Sequence, residues 1–533
     1  MPYLLALALV APGLLWICLD QSVWHWDPSW YGQVSVELWD ALWRGPAEWT
    51  MAMATAFGQK PPAIAWLGQF LVPIGRRMGR MEPALLSSLL LTQVLTLALI
   101  LKALRALSGN QTLIAMTGCA LAGAAPLFVA LSHLFFAESI QTMSVAWFLV
   151  IAAMAPRWPR SLLLGQLLAA AALAVLTKIS TPLYVLLPGL LALWFVCRPR
   201  RHASLAVTRK LWTALTWVAA ATLLLGAAGW YYKSWRMAFW HLQVNSYVPA
   251  TAIQGSPATV LGRQLYARVF EFQASFGFAP VFWSWLLLLV LGTGAWFARR
   301  GWRAGERGGG FSHFDLCALV AALQIALVMF AFSFTAVGDT RYFLPVLPWF
   351  SVLVAWALHR LDRPALSGLV LASLLMQWAL VYGQAFGAWR FDSIPELLFR
   401  PERNPAAAQM LRAGIDCTCR EPADALRYNL IGVEYPSFNA NAASFYEAQS
   451  RPARGFRCFY TSLGLGETDA GRDWDRLRAM RVRYFITWDP AARPLPANGA
   501  NMTAESIRTR VGQSGLYAPV AAPPGTLIFR EKE

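Results

Sequence analysis

Charge is what this chain has least of. Only 14% of its 533 residues are Asp, Glu, Lys or Arg, while 57% are hydrophobic. That scarcity excludes an ordinary water-soluble domain and points to repeated apolar stretches of membrane-spanning length. Cysteine is also sparse: seven residues, with no Cys-x-x-Cys pair, which removes zinc ribbons and related metal folds. There is no glycine-rich nucleotide loop, so no nucleotide sugar is expected. No internal repeat appears, and this weighs against a transporter built from two inverted halves. The first apolar run, Leu4 to Leu19, lacks both a basic leader and a small-residue cleavage site. It reads as a retained first span, with a cleaved signal peptide as the alternative.

Acids are scarcer than bases, 28 against 45, which leaves a net charge of +17. A nucleic-acid surface would interleave bases with aromatics in one stripe. Here the bases gather instead in short segments between apolar runs: Lys102 and Arg105, Arg157 and Arg160, Arg198 to Arg201 with Arg209 and Lys210, Arg299 to Arg307, and Arg360 with Arg363. That is the positive-inside pattern. It places these segments against anionic lipid in the cytoplasm, the N-terminus inside and the C-terminal region outside. Arg76, Arg77 and Arg80 are exceptions on the outer side, facing lipid phosphates or a site.

Apolar runs near 3–19, 83–104, 112–132, 139–155, 161–177, 182–197, 211–230, 280–298, 315–334, 343–359 and 365–384 predict about eleven spans. Two outer connections are long. Residues 20–82 are Trp-rich with broken apolar stretches and suit helices lying in the interface. Residues 231–279 form the second. After about residue 385 hydrophobicity collapses, and residues 385–533 suffice for a core of their own. There, Ala406–Arg412 and Asp473–Met480 have helical spacing, whereas Tyr484–Trp488 and Thr526–Arg530 read as strands. The expected architecture is a polytopic α-helical membrane domain, residues 1–384, followed by a small extracytoplasmic α/β domain. Cys18, Cys119, Cys197 and Cys317 lie in or beside spans as small apolar residues. Cys458 is expected to pair with Cys417 or Cys419 if its domain faces an oxidising compartment. The segment Gly301–Gly310 reads as a flexible cytoplasmic loop.

The functional signal lies in the charges that interrupt apolar runs. Asp27, Glu138, Lys178 and Arg341 all fall on the outer side of this topology. A charge beside hydrocarbon is costly and is kept where it is buried in protein or in a wet cavity with a task. Asp27, in His25-Trp26-Asp27-Pro28-Ser29-Trp30-Tyr31, reads either as a helix cap or as a general base for an attacking hydroxyl. Glu138 has the same cap reading, and two acids on one face would also suit a divalent cation set against phosphate. Lys60 precedes Pro61-Pro62, a helix start. Lys178 stands between Thr177 and Ile179 in apolar surroundings, and Arg341 has Asp339 as a nearby alternative partner. Together the three cations would clamp a phosphate, Arg through its planar fork and Lys as a point charge. His133 reads as a packed interfacial histidine; His241 stays open.

In order along the chain stand Asp27 with Tyr31, Lys60-Pro61-Pro62, Glu138, Leu176-Thr177-Lys178, Gly229-Trp230-Tyr231 with Phe239 and Asn245, and Arg341-Tyr342-Phe343-Leu344-Pro345 with Pro348. This series resembles the GT-C superfamily of polyprenyl-phosphate-sugar-dependent glycosyltransferases, especially the group of protein O-mannosyltransferases and the lipid A aminoarabinose transferase. The resemblance implies an inner-membrane enzyme with a periplasmic active site, moving a sugar from polyprenyl phosphate with inversion to a lipid, glycan or protein. It assigns Asp27 and Glu138 to catalysis, and Lys60, Lys178, Arg341 and Tyr342 to the donor phosphate. Trp30, Tyr31 and Asn245 fall to the substrate pocket. Pro28 stands where the family often has a second acid, so a divalent cation on Asp27 and Glu138 stays open. The rival readings are a lipid-linked oligosaccharide polymerase or ligase, and a lipid or sugar transporter.

Overall fold

The computed structural model describes residues 2–20, 22–198, 207–246, 257–303, 311–333, 340–388, 405–463, 468–489, 491, 495 and 501–532. Every apolar run picked out by composition is helical there. Among the described residues, eight helices are long and apolar enough to cross a membrane, and three shorter apolar helices, Thr112–Ala124, Glu138–Met154 and Thr181–Cys197, account for the rest.

In chain order, α1 (Pro2–Leu19) leads into four helices that precede the next span: α2 (Trp26–Arg44), α3 (Pro46–Thr55), α4 (Ala63–Gly68) and α5 (Val72–Met78). Then come α6 (Met81–Leu107), α7 (Thr112–Ala124), α8 (Pro126–Ala130), α9 (Glu138–Met154), α10 (Arg160–Thr177), α11 (Thr181–Cys197) and α12 (Val207–Ser246). The bundle closes with α13 (Pro257–Phe276), α14 (Ala279–Arg303), α15 (His313–Ser333), a 3-10 segment Thr340–Val346, α16 (Leu347–Leu361) and α17 (Pro364–Ala385). Proline occupies the first or second position of α3, α5, α8, α11, α16 and α17, where its missing N–H breaks no helical bond. Pro126 also splits the third apolar run, so residues 112–132 are not one helix but α7 followed by the short α8.

The segment between α1 and α6 is mostly helical; α2 buries one face, whereas α3 has no buried residue. On α2 that face includes Tyr31, Val34, Leu38 and Ala41. The second long connection is also largely helix. With 40 residues, α12 extends about 60 Å, twice the ~30 Å hydrocarbon thickness, so it continues well past its span.

Beyond the bundle lies a five-stranded sheet with helices on both faces. Its elements are α18 (Pro405–Thr418), β1 (Tyr428–Ile431), α19 (Ala440–Arg454), β2 (Phe459–Ser462), α20 (Ala470–Ala479), β3 (Tyr484–Trp488), α21 (Ala504–Gln513), β4 (Tyr517–Val520) and β5 (Thr526–Glu531). The strand order is β2-β1-β3-β5-β4, with β1 parallel to β2 and β3, and β5 antiparallel to β3 and β4. Period-two alternation divides β3 between two cores. Tyr484, Ile486 and Trp488 pack with Leu411, Ile415 and Tyr446, while Phe485 packs with Leu477, Ile507 and Val511. Cys458 bonds to Cys419 (S–S 2.02 Å), tying the segment after α18 to the approach of β2, and Cys417 is a free thiol. Residues 304–310 of the glycine-rich segment, Asp339 and the side chain of His241 lie outside the described residues.

Candidate functional site

The short connection between α9 and α10 makes them neighbours, so the first residue of α9 and the residue after α10 lie at the same end of the bundle. These are Glu138 and Lys178. Lys178 Nζ donates to Glu138 Oε1 at 2.7 Å. Arg341, from the 3-10 segment before α16, brings its Nε to 3.3 Å from the same oxygen. Its other end reaches the second acid, with Nη1 3.9 Å from Asp27 Oδ2. Asp27 is the second residue of α2, and its Oδ1 accepts a 2.7 Å bond from Lys60 Nζ. Two acids and three bases from five separate segments thus form one chain, with Arg341 as the bridge.

Each cation also lies over an aromatic face. Lys60 is 5.1 Å from the Trp30 ring centre and 5.6 Å from that of Tyr31. Lys178 is 3.9 Å from the Tyr342 centre, and Arg341 stands 4.3 Å over Phe136 and 5.4 Å from Tyr342. Rings in this position hold a cation without neutralising it. Phe57 meets Trp30 and Tyr31 edge-on at 5.2 and 5.3 Å. Its φ of +61° places a bulky residue in the left-handed region, a conformation that costs energy and clusters at functional sites. It helps turn the chain between α3 and α4 so that Lys60 reaches Asp27. Tyr342 is fixed through its carbonyl, which accepts from Tyr184 Oη at 2.7 Å.

Exposure separates the two acids. The Asp27 side chain is 26% exposed and that of Glu138 only 3%. Solvent can reach Asp27, whereas Glu138 is an anchor for Lys178 and Arg341. Burial alone would raise the Asp27 carboxyl. The Lys60 ammonium, helped by Arg341 and Lys178, outweighs that and holds it below its ordinary value. Burial, reinforced by the two carboxylates, pushes the Tyr31 phenol well above its usual range, so it stays protonated.

Asp27 and Glu138 do not suit a divalent cation. A hard dication needs oxygen ligands whose negative charge is unspent; these two carboxylates already face three cations. Among the described residues no group of three or more His, Cys, Asp or Glu converges anywhere. No step is therefore assigned to a metal. Asn245 belongs to α12, but its side chain lies outside the described residues. His133 is buried against Trp16, with ring centres 3.9 Å apart. Two of the three arginines before α6 have structural partners rather than the site: Arg76 pairs with Asp40 at 2.5 Å, and Arg80 donates to the carbonyls of Cys18 and Asp20 at the end of α1.

The C-terminal unit grips the helix that carries Asp27. Trp26 Nε1 donates to Glu434 Oε2 at 2.8 Å, and Asn441 Nδ2 donates to the Trp26 carbonyl at 3.2 Å. Trp24 stacks on Phe445 (5.1 Å, 4° between planes), and Glu37 pairs with Arg451 at 3.5 Å and Arg457 at 2.7 Å. A Cβ on Gly32 would stand 2.6 Å from the Phe445 ring, so only glycine permits this approach. Sequence reasoning passed over Phe136, Tyr184, Glu434 and Asn441. Phe136 carried a signal, being two residues before Glu138. The others sit in an apolar helix or in a distant domain, where nothing local marks them.

This bundle, with short helices after the first apolar helix and a sheet unit at the far end of the chain, has the polytopic helical architecture with a small C-terminal α/β unit expected from the sequence. Over nearly its whole length it is similar to the crystal structure of ArnT from Cupriavidus metallidurans in the apo state (TM-score 0.56, 13% identity, covering 99% of this chain and 97% of that one). The same protein bound to undecaprenyl phosphate matches with a TM-score of 0.53 at 14% identity, again over 99% and 97%. The oligosaccharyltransferase of Archaeoglobus fulgidus in complex with Zn and sulfate matches with a TM-score of 0.50 at 12% identity, over 99% of this chain and 73% of that one. No family model and no curated protein sequence matches the chain. At these identities the likeness is one of fold.

Proposed function

We propose that this protein is an inverting membrane glycosyltransferase that moves a sugar from a polyprenyl-phosphate donor to an acceptor hydroxyl on the outer face of the bacterial inner membrane. One observation carries the reading: three cations and one reachable carboxylate, Asp27, share a single network beside the bundle end. The network has what displacement at an anomeric carbon requires. The acceptor oxygen attacks from one side and gives its proton to Asp27. The bond from carbon to the phosphate oxygen breaks on the other, and its electron pair leaves with polyprenyl phosphate. Lys60, Lys178 and Arg341 receive that growing charge from preset positions, which is where most electrostatic catalysis lies. Tyr342 keeps two of these cations in place.

The same network sets the timing. Before donor binds, Asp27 and Glu138 neutralise the clamp. Donor phosphate then competes for Lys60 and Arg341, and as they turn to it the Asp27 carboxyl rises towards its ordinary value and becomes the better base. ArnT bound to undecaprenyl phosphate supports the donor class by its fold likeness.

The test is release of polyprenyl phosphate from a panel of polyprenyl-phosphate sugars by purified protein, wild type and Asp27→Asn. Turnover of one monosaccharide donor, lost in the variant, is the expected result. Release from oligosaccharide donors alone would move the reading to a lipid-linked oligosaccharide ligase. Silence across the panel with folded protein would overturn it.

A further inference from the structure

At the opposite end of α9 and α10, about 25 Å from Glu138 and Lys178 along these helices, lies a cavity of about 490 Å³. Its walls include Lys102 from α6, Arg157 and Trp158 from the turn before α10, and Gln166, Thr216 and Trp212 from α10 and α12. The polar floor is satisfied: Gln166 accepts from Trp147 Nε1 at 2.7 Å and donates to Thr216 Oγ1 at 3.0 Å. Among the described residues the cations meet no carboxylate. Lys102 Nζ stands 5.9 Å from the Trp158 ring centre, and Arg157 donates one bond to the Ala106 carbonyl at 3.0 Å.

Two exposed cations that meet no described carboxylate, at the rim of a cavity walled by tryptophan and aliphatic carbon, suit a ligand that is anionic at one end and apolar at the other. A soluble anion would satisfy the rim and leave the walls facing water. The cavity lies at the ends of three apolar helices of spanning length, α6, α10 and α12, and basic pockets between such helices take anionic lipid.

We infer that this cavity binds one anionic glycerophospholipid, its phosphate between Lys102 and Arg157 and the start of an acyl chain against Trp158 and Trp212. The site is separate from the sugar-transfer network and does not depend on that reading. Occupied, it ties α6, the α9–α10 turn and α12 together at the end of the bundle away from the chemistry.

The experiment uses full-length protein, delipidated in detergent and titrated with phosphatidylglycerol or phosphatidylcholine, with bound lipid counted by native mass spectrometry. Wild type is expected to hold one phosphatidylglycerol and no comparable phosphatidylcholine. The Lys102→Gln/Arg157→Gln double variant should bind it about thirtyfold more weakly, the effect of removing two cations at a membrane surface. Trp212→Ala, which keeps both cations, should also weaken binding, and it decides the matter if the double variant does not fold. Equal phosphatidylglycerol retention by wild type and the folded variants would overturn the inference. So would displacement of the lipid by millimolar inorganic phosphate, which would mark a free-anion site.

Discussion

At the residue scale the site works through unequal acids. Asp27→Asn keeps the shape and removes the proposed base, so turnover should fall by about 10²- to 10⁴-fold with folding intact, read by polyprenyl phosphate release. Arg341→Lys keeps charge but loses the fork that spans both carboxylates. Its kcat should drop by about 10²-fold, and thermal unfolding should change little. Glu138→Gln acts differently, because Lys178 and Arg341 lose the buried anion they share. It should cost about 3 kcal/mol in stability as well as activity, measured by denaturation in detergent. The Asp27–Lys60 pair also gives a pH signature. Its carboxyl lies below the ordinary value of 3.8, so the stabilisation is fully present above that value and is lost as pH falls through the lower folded one. The stability gap between wild type and Asp27→Asn should therefore close on acidification.

At the scale of elements, α2 is held between the bundle and the sheet unit. The tight point is Gly32 against Phe445. Gly32→Ala should force the two apart, lowering stability by about 1–3 kcal/mol and reducing turnover, although residue 32 touches no substrate group. Adding Phe445→Leu, which shortens the opposing ring, should restore part of both. No rescue would mean that α2 is set by the bundle alone. The disulfide Cys419–Cys458 closes a loop over a sequence separation of 39. Its removal by Cys458→Ser should destabilise the sheet unit by about 4 kcal/mol on the chain-entropy account, read as an earlier transition in thermal unfolding.

At the scale of the whole molecule, orientation decides which face does chemistry. Basic residues between spans and a disulfide in the sheet unit both favour a C-terminal region on the oxidising side. In right-side-out vesicles carrying the Cys18→Ser protein, an impermeant maleimide should then label Cys417, which is free and partly exposed, and adding Cys417→Ser should abolish that signal. Labelling only after permeabilisation would invert the topology and place the sugar-transfer network on the nucleotide-rich side.

The apolar helices and the charges that interrupt them were legible because a membrane punishes each ionisable residue it meets, so composition alone marks both. Strands Tyr484–Trp488 and Thr526–Glu531 were legible for a related reason: they are the longest in the sheet and carry clear β-forming residues. The four-residue strands β1, β2 and β4 are too short to show a period. What sequence could not assign was partnership. Arg341 bridging Asp27 and Glu138, Glu434 holding Trp26, and Cys419 rather than Cys417 pairing with Cys458 all depend on distances between segments tens to hundreds of residues apart. Local pattern carries no such distance. The sequence by itself determined which charges the membrane would tolerate only with a purpose, because that cost is paid residue by residue. Only the packed chain decided which acid stays reachable and which is buried, because exposure is a property of neighbours that the fold alone brings together.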